Sequence, residues 1–498
     1  MSGDELERRA GDLLDRAAQV FRGNGRAETW LRHHRARLGE PLRLAVTGAP
    51  GSGKSTLVNA LIGEDVAPVR ADRELCAEAV WFHDGSQPLA RVFPEAAPPF
   101  TAPLVRDARR GHRVAAPESG RRVAVPDGGH RVAVPEGGHR VAVPEGGHRV
   151  AAPEGGIRSV VVEWPCRALR HTRLLETAEE MPAEADAVLR LVGHLGDDEP
   201  VPLLAAGAHP VQVMVVLARA DEMAGGKTDA LLTAKRIARR RRTDPRLAAG
   251  CQDVLAVSGR IAYAGRTLRE EEYATVAAIA GLPRPDAERQ LLSADRFAGA
   301  SGPPAVSAGR RAALLDRLGL GGIRLAVTLA RTTARSRAQL GEQLVRQSGL
   351  TELQASISDL FTARRGVLKA QVALVALEHL LRAEAHPATG HLAAELELLL
   401  AGAHELREVR LLAALRTGRV ALPGELALEA RRLIGGDGGA HCERLGLDPL
   451  TPPEKLWPAA ESAAARWHEQ TTAAATAGGR RAAEVVLRSC TAILDDLG

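Results

Sequence analysis

Residues 42–56, LRLAVTGAPGSGKST, decide the fold. Six mostly apolar residues, Leu42 to Thr47, form a run of strand length that meets a glycine-rich turn, and a helical pattern resumes from Ser55 to Ile62. Between Gly48 and Ser55 the chain fits GxxxxGK[ST] at every fixed position, in the strand, turn, helix setting that the motif's mechanism requires. Gly51 and Gly53 allow the backbone to curl so that successive N–H groups point at a phosphate. Lys54 then reaches the β and γ oxygens, and the Ser55 hydroxyl ligates Mg²⁺. The expected phosphate cradle is therefore Gly48, Gly51, Ser52, Gly53, Lys54, Ser55 and Thr56, with Lys54 and Ser55 at the chemistry. The plainer alternative is an ordinary strand-to-helix turn. Against it stand the flanks and a lysine at position 54, in a chain where only five of 66 basic residues are lysine.

Further apolar runs fit strands at 79–82, 160–163, 174–175, 187–192, 211–217 and 254–257, several separated by helix-like stretches such as 228–241. This alternation predicts a mostly parallel sheet with helices on both faces. Two loops after these runs bear on the base. Residues 215–221, VVLARAD, form an apolar strand ending in Asp221, whose carboxylate can accept from N1–H and the exocyclic amine of guanine, a pairing adenine does not offer. The stem of Arg219 can lie over the base, although Asp221 as a simple helix cap stays open. Residues 255–259, LAVSG, resemble a loop that presents a backbone N–H to the guanine carbonyl, which adds Ser258. The expected ligands are GTP or GDP with Mg²⁺.

At 498 residues the chain exceeds one ordinary core, and its 45% hydrophobic and 26% charged content is that of globular proteins. Only 3% is aromatic, so the apolar share is largely Ala, Leu and Val, which favours helices. A net charge of +5 gives no case for nucleic acid as partner. Five scattered cysteines without a CxxC pair argue against zinc, redox or disulfide chemistry. The polar, acidic start and the lack of a spanning apolar run predict a cytoplasmic chain whose membrane contact is peripheral.

Apolar periodicity predicts two helices within 4–38, broken at Gly23-Asn24-Gly25, and helices throughout the stretch after about 265. Among the latter are one opening on a capping box at Thr351 and Gln354, one over 392–415 and one over 481–494. None has a core of its own, so they predict an all-α bundle. The boundaries read as N-terminal helices 1–39, an α/β P-loop domain 40–265, and a helical bundle 266–498. A nine-residue repeat at about 112–156 reads as a surface insertion rather than stacked hairpins. The run Arg236 to Arg242, with Lys235 before it, reads as the solvated end of a surface helix or, alternatively, a contact for anionic lipid. A looser cluster is Arg331, Arg335 and Arg337.

Taken together, GAPGSGKSTLVNALIGEDVAPV, RADRELCAEAVWF, VVEWPCRALR, LARADE and AVSG resemble the bacterial dynamin-like GTPases, especially their isoniazid-induced branch. The resemblance covers the α/β half and, more loosely, the helical half. It implies a G domain carried on a neck and trunk of N- and C-terminal helices, nucleotide-dependent association with a like or related chain, and membrane remodelling. Two departures bear on catalysis. The switch I threonine would fall at or beside Ala77, and no Thr lies between Leu57 and Phe100. Where DxxG should follow the third strand the chain reads Leu174 to Glu179, LLETAE. Glu176 can reach Mg²⁺ through water, but Glu179 stands where a glycine N–H would meet the γ-phosphate, and at about 4 Å its charge costs roughly 1–4 kcal/mol. The expectation is a slow GTPase, with a GTP-binding regulator that does not turn over, or an ATP-dependent P-loop enzyme, as alternatives.

Overall fold

The computed structural model describes residues 3–67, 77–95, 97–102, 104–107, 111–114, 157–179, 182–195, 209–226, 229–299, 306–384 and 386–497. The chain opens with two helices, α1 (Gly3–Val20) and α2 (Gly25–Leu38), broken where the glycines stand. Asn24 starts α2 by accepting from the Ala27 N–H at 3.1 Å, satisfying one of the free donors of a helix start.

An apolar run buried on both faces belongs in the middle of a sheet, and β1 (Leu42–Thr47), with all six residues buried, lies there. It feeds through the glycine turn into α3 (Lys54–Ile62). The remaining strands are β2 (Ala77–Asp84), β3 (Leu89–Pro94), β4 (Phe100–Ala102), β5 (Leu104–Asp107), β6 (Gly111–Val114), β7 (Ile157–Trp164), β8 (Thr172–Thr177), β9 (Ala187–Val192), β10 (Val213–Leu217) and β11 (Asp253–Ala256). Nine of them form one sheet in the order β11-β10-β9-β1-β8-β2-β7-β3-β4, while β5 and β6 pair separately. From β11 to β8 all pairs are parallel; β2 runs antiparallel to β8, and β3 antiparallel to both β7 and β4. Four strands, β3 to β6, escape the sequence reading: β3 starts after Pro88 and ends on Pro94, and the other three are only three or four residues long. Beyond β6 the nine-residue repeat, 115–156, lies outside the described residues.

Side chains alternate across this sheet. Leu42, Leu44 and Val46 face a core that contains Leu57 and Val58 of α3 and continues into the helical half through Leu350, Leu353 and Phe361. On the opposite face Val213, Val215 and Leu217 meet Ala234 and Ala238 of the helix Ala230–Arg242. The N-terminal and C-terminal helices do join, α1 and α2 packing against Arg365–Ala383. Lys369 of that helix donates from Nζ to the Leu38 carbonyl at 2.9 Å and to the Glu40 carbonyl, at the junction where α2 turns into β1.

Three local expectations are corrected. Gly349, not Thr351, precedes the helix Leu350–Leu360; its φ is +88° and a Cβ there would lie 2.2 Å from the Ala256 carbonyl oxygen, so close approach to β11 sets the start. The stretch 392–415 is two helices, Thr389–Gly402 and His404–Thr417, meeting at Ala403. In the basic run, Arg236, Arg239 and Arg240 are exposed, but Arg242 is drawn inward to Asp253 at 2.7 Å and Glu352 at 3.1 Å.

Candidate functional site

The order of the sheet reverses at β1: β2 to β4, β7 and β8 lie on one side of it and β9 to β11 on the other. In open α/β sheets ligands bind outside the carboxyl ends of strands at such a point, and residues 48–53 lie there. Gly48, Gly51 and Gly53 have φ of +144°, +78° and +95°. A Cβ on Gly48 would lie 2.7 Å from the Leu191 carbonyl oxygen, so the loop can press this closely on β9 only with glycine at that position. Gly53 is in the left-handed region and starts α3, leaving no side chain between the helix N-terminus and an incoming anion.

Register places the partners. Val46 is level with Glu176 of β8, and Thr47 with Arg190 of β9, so the strand ends set Glu176 and Arg190 on either side of the loop. The Ser55 hydroxyl donates to Glu176 Oε1 at 2.6 Å, across 121 residues of sequence. A magnesium ion here would be held by the Ser55 hydroxyl directly and by Glu176 through water, in place of this hydrogen bond. Burial pushes the Glu176 carboxyl above its usual pKa, opposed by Ser55 and Lys54. Lys54 is pulled below its usual value, first by burial and further by Arg190, with Glu176 opposing. Its Nζ folds back to donate to the carbonyls of Gly48 at 2.9 Å and Ala49 at 3.2 Å. Among the described residues, the buried hydroxyls of Ser52 and Thr47 have no partner, and Lys54 Nζ bonds only these two loop carbonyls. A curled backbone, an ammonium bonded only to loop carbonyls and an unpartnered hydroxyl fit a polyphosphate with its magnesium ion.

The base-side residues gather at the same end. Arg219 is the only non-glycine residue with positive φ among those described, at 53°, and this turn points Nη1 to within 3.4 Å of the Gly51 carbonyl. The same guanidinium pairs with Glu222 at 2.6 Å. Asp221 is 8% exposed, and no donor among the described residues bonds its carboxylate, which argues against a cap. Its neighbour Ala220 donates from N–H to the Val257 carbonyl at 3.4 Å, joining the two loops, while Gly259 packs against the start of α3. Ser258 is fully buried: its N–H donates to the Ser348 carbonyl at 2.9 Å, and its hydroxyl accepts from Ile261 N–H at 3.2 Å. Both polar groups of Ser258 thus serve the protein itself. Thr56 is half-buried in the first turn of α3.

Ala77 is the first residue of β2, and residues 68–76 before it lie outside the described ones. Glu179 is exposed, its N–H donating to Thr177 Oγ1 at 3.1 Å. Two residues were missed. Arg190 had a signal, a charge inside the apolar run AVLRLV. Asn59, fully buried in α3, accepts from the N–H groups of Val66 and Ala67 at 2.8 and 2.7 Å and so fixes where the chain departs toward 68–76. In the looser arginine cluster, Arg331 donates to the Ala280 and Leu282 carbonyls and Arg337 pairs with Glu270, so two of its three members are engaged within the helical half.

No protein-family model matches the chain. It is 32% identical over 493 residues to the isoniazid-induced protein IniC of two strains of Mycobacterium tuberculosis, which covers 96% of this chain and 95% of the relative. Among solved structures, a chain from an oligomerised bacterial dynamin pair, described as sensing and tethering membranes over long range, aligns over 100% of this chain and 76% of its own length. That likeness has a TM-score of 0.28 and 11% identity, too low to bear on the argument. Agreement with IniC along almost the full length of both proteins is what settles kinship: the chain belongs to the IniC family, the isoniazid-induced branch of the bacterial dynamin-like proteins.

Proposed function

We propose that the chain binds GTP and GDP with Mg²⁺, hydrolyses GTP slowly, and couples nucleotide state to self-association, or association with a related chain, at a membrane surface. The supporting observation is the cradle of positive-φ glycines at the reversal of strand order, with the Lys54 ammonium and the Ser55–Glu176 pair on its two sides. In this reading Gly48, Gly51, Ser52, Gly53, Lys54, Ser55 and Thr56 hold the phosphates, Arg219 and Asp221 flank the base while Ser258, its N–H and hydroxyl already bonded within the protein, only shapes the neighbouring loop, and Ser55 and Glu176 hold the metal. When bound, Mg²⁺ offsets phosphate charge. The residues of this chain do the rest: backbone N–H groups orient the phosphates, and Lys54 exchanges its loop carbonyls for phosphate oxygens. The membrane association proposed is peripheral; no helix among the described residues is long and apolar enough to cross a bilayer.

With saturating GTP, phosphate release is expected at or below about 10⁻³ s⁻¹. Vigorous turnover that Lys54→Ala abolishes would contradict the argument from Ala77 and Glu179. A second reading, a GTP-binding regulator that never turns over, is favoured by those same two positions. Single-turnover hydrolysis with and without lipid vesicles separates the two.

Asp221 decides between guanine and adenine. Asp221→Ala is expected to cut the preference for GTP over ATP by about a hundredfold, since two charge-assisted bonds to guanine are lost. Competition of each nucleotide against labelled GDP reads this directly, and an unchanged ratio would restore the ATP alternative. Glu176→Gln carries two opposed effects. A carboxylate whose pKa is raised by burial contributes stability only below its ordinary range and loses it as pH rises through the raised value. Removing the charge should therefore stabilise the nucleotide-free protein at neutral pH by about 1 kcal/mol. It should also weaken magnesium-dependent GTP binding by about tenfold. Thermal melts and nucleotide titrations with and without Mg²⁺ check both; a variant that melts lower without ligand would show the desolvation argument wrong.

A further inference from the structure

Between the sheet edge and the helical half opens a cleft of about 360 Å³. Cys251 and Gln252, just ahead of β11, form one side; the helices His404–Thr417 and Ala477–Leu497 contribute the other. Four arginines line it, Arg407, Arg410, Arg419 and Arg481, and among the described residues no carboxylate does. None of the four forms an ion pair among the described residues. Arg419 donates to the carbonyls of Arg242 at 2.7 Å and Cys251 at 2.8 Å, and Arg407 to the Ala401 carbonyl at 3.3 Å. Arginines elsewhere along the same junction are paired, Arg242 with Asp253 and Arg416 with Asp359. The field of Arg410 is felt nearby: His209 is held below its usual pKa by burial and then by this guanidinium.

We propose that this cleft binds a small phosphate-bearing anion, and that the bound anion reinforces the tie between the sheet and the helical half. Guanidinium is the side chain best suited to fork onto phosphate oxygens, and four arginines around one cleft without a lining carboxylate give it a positive field that attracts such a group. Gln252 refines the chemistry. It is 2% exposed, its Nε2 donates to the Val211 carbonyl, and its Oε1 is buried with no donor. A ligand hydroxyl or amine would satisfy that oxygen once a local opening exposed it, and Leu411 adds an apolar side chain to the lining. Phosphorylated polyols have this combination, either free or as lipid headgroups. Arg419, just after the helix His404–Thr417, is already bonded to the sheet side through the Arg242 and Cys251 carbonyls, so an anion held by it together with Arg407, Arg410 and Arg481 reinforces that tie.

The test uses the full chain with Arg410→Gln and Arg481→Gln combined; both residues are exposed and unpaired, so the variant should fold like the parent by circular dichroism. Inorganic pyrophosphate and glycerol 3-phosphate serve as free probes by calorimetry. Vesicles of phosphatidylglycerol in phosphatidylcholine, against phosphatidylcholine alone, serve as the lipid probe by co-sedimentation. The double variant is expected to bind at least one class about tenfold more weakly than the parent, with binding that also falls as salt rises. Lys54→Ala, which alters only the P-loop, should leave that binding in place, and so keeps this cleft distinguishable from the nucleotide site. Loss confined to vesicles assigns the cleft to a headgroup, and loss confined to the soluble phosphates assigns it to a free ligand. Equal binding by parent and double variant for every probe overturns the proposal, as does pyrophosphate binding that Lys54→Ala abolishes and the double variant leaves untouched.

Discussion

Lys54→Ala is expected to weaken binding of GTP by about a hundredfold or more, while the fold survives. The ammonium makes two bonds to loop carbonyls, Gly48 at 2.9 Å and Ala49 at 3.2 Å, and a triphosphate offers it charged acceptors in their place. Bonds between charged partners contribute about 1.5–3 kcal/mol each, and tenfold in affinity is about 1.4 kcal/mol, so losing two of them accounts for the predicted loss. The fold tolerates the change because the glycine conformations and the burial of α3 on β1 do not depend on this side chain. Fluorescent GTP titrated into parent and variant with Mg²⁺ present measures the ratio. Affinity within threefold of the parent would mean that the phosphates are held elsewhere.

The second large effect concerns stability and lies away from the nucleotide. Arg37, at the end of α2, donates to Asp186 Oδ1 at 2.9 Å, with the two side chains 5% and 3% exposed. The other carboxylate oxygen accepts from the Arg43 N–H of β1 at 2.9 Å, and Arg37 also donates to the carbonyls of Ala183 and Glu184. Thus one buried pair fastens the N-terminal helices to the strand that delivers the P-loop. Arg37→Ala leaves a buried carboxylate without its cation and should cost about 3–5 kcal/mol. Replacing both partners, Arg37→Met with Asp186→Leu, should recover most of that, because no charge is then left in the interior. Urea unfolding followed by α2-specific proteolysis separates loss at this junction from global unfolding. If Arg37→Ala unfolds at the same denaturant concentration as the parent, the pair is not desolvated in solution.

How legible each feature was follows from how local its cause is. The P-loop was readable because its chemistry is written in consecutive residues: glycines that curl the backbone, a lysine and a serine at set spacing, and an apolar strand before them. The central strands β1, β9, β10 and β11 were readable for a similar reason, since burial on both faces favours mostly apolar runs, whereas β8, TRLLET, showed only its Leu174-Leu175 pair. Asp221 announced itself by ending such a run. Arg190 left a faint mark, one charge in AVLRLV, whereas nothing about Glu176 in LLETAE says that it will sit 2.6 Å from a serine 121 residues earlier.

The sequence by itself therefore determined the glycine-rich loop between β1 and α3, the α/β class of the first half, the helical character of the second and, through its motifs, the family. Each depends on interactions within one segment, where spacing along the chain is spacing in space. Tertiary structure alone decided the reversal of strand order at β1, the Ser55–Glu176 contact, the start of a helix at Gly349, the buried Arg37–Asp186 clasp and the gathering of four arginines around one cleft. These pair residues far apart in sequence, and only the packing of the sheet against the helices sets the distances between them.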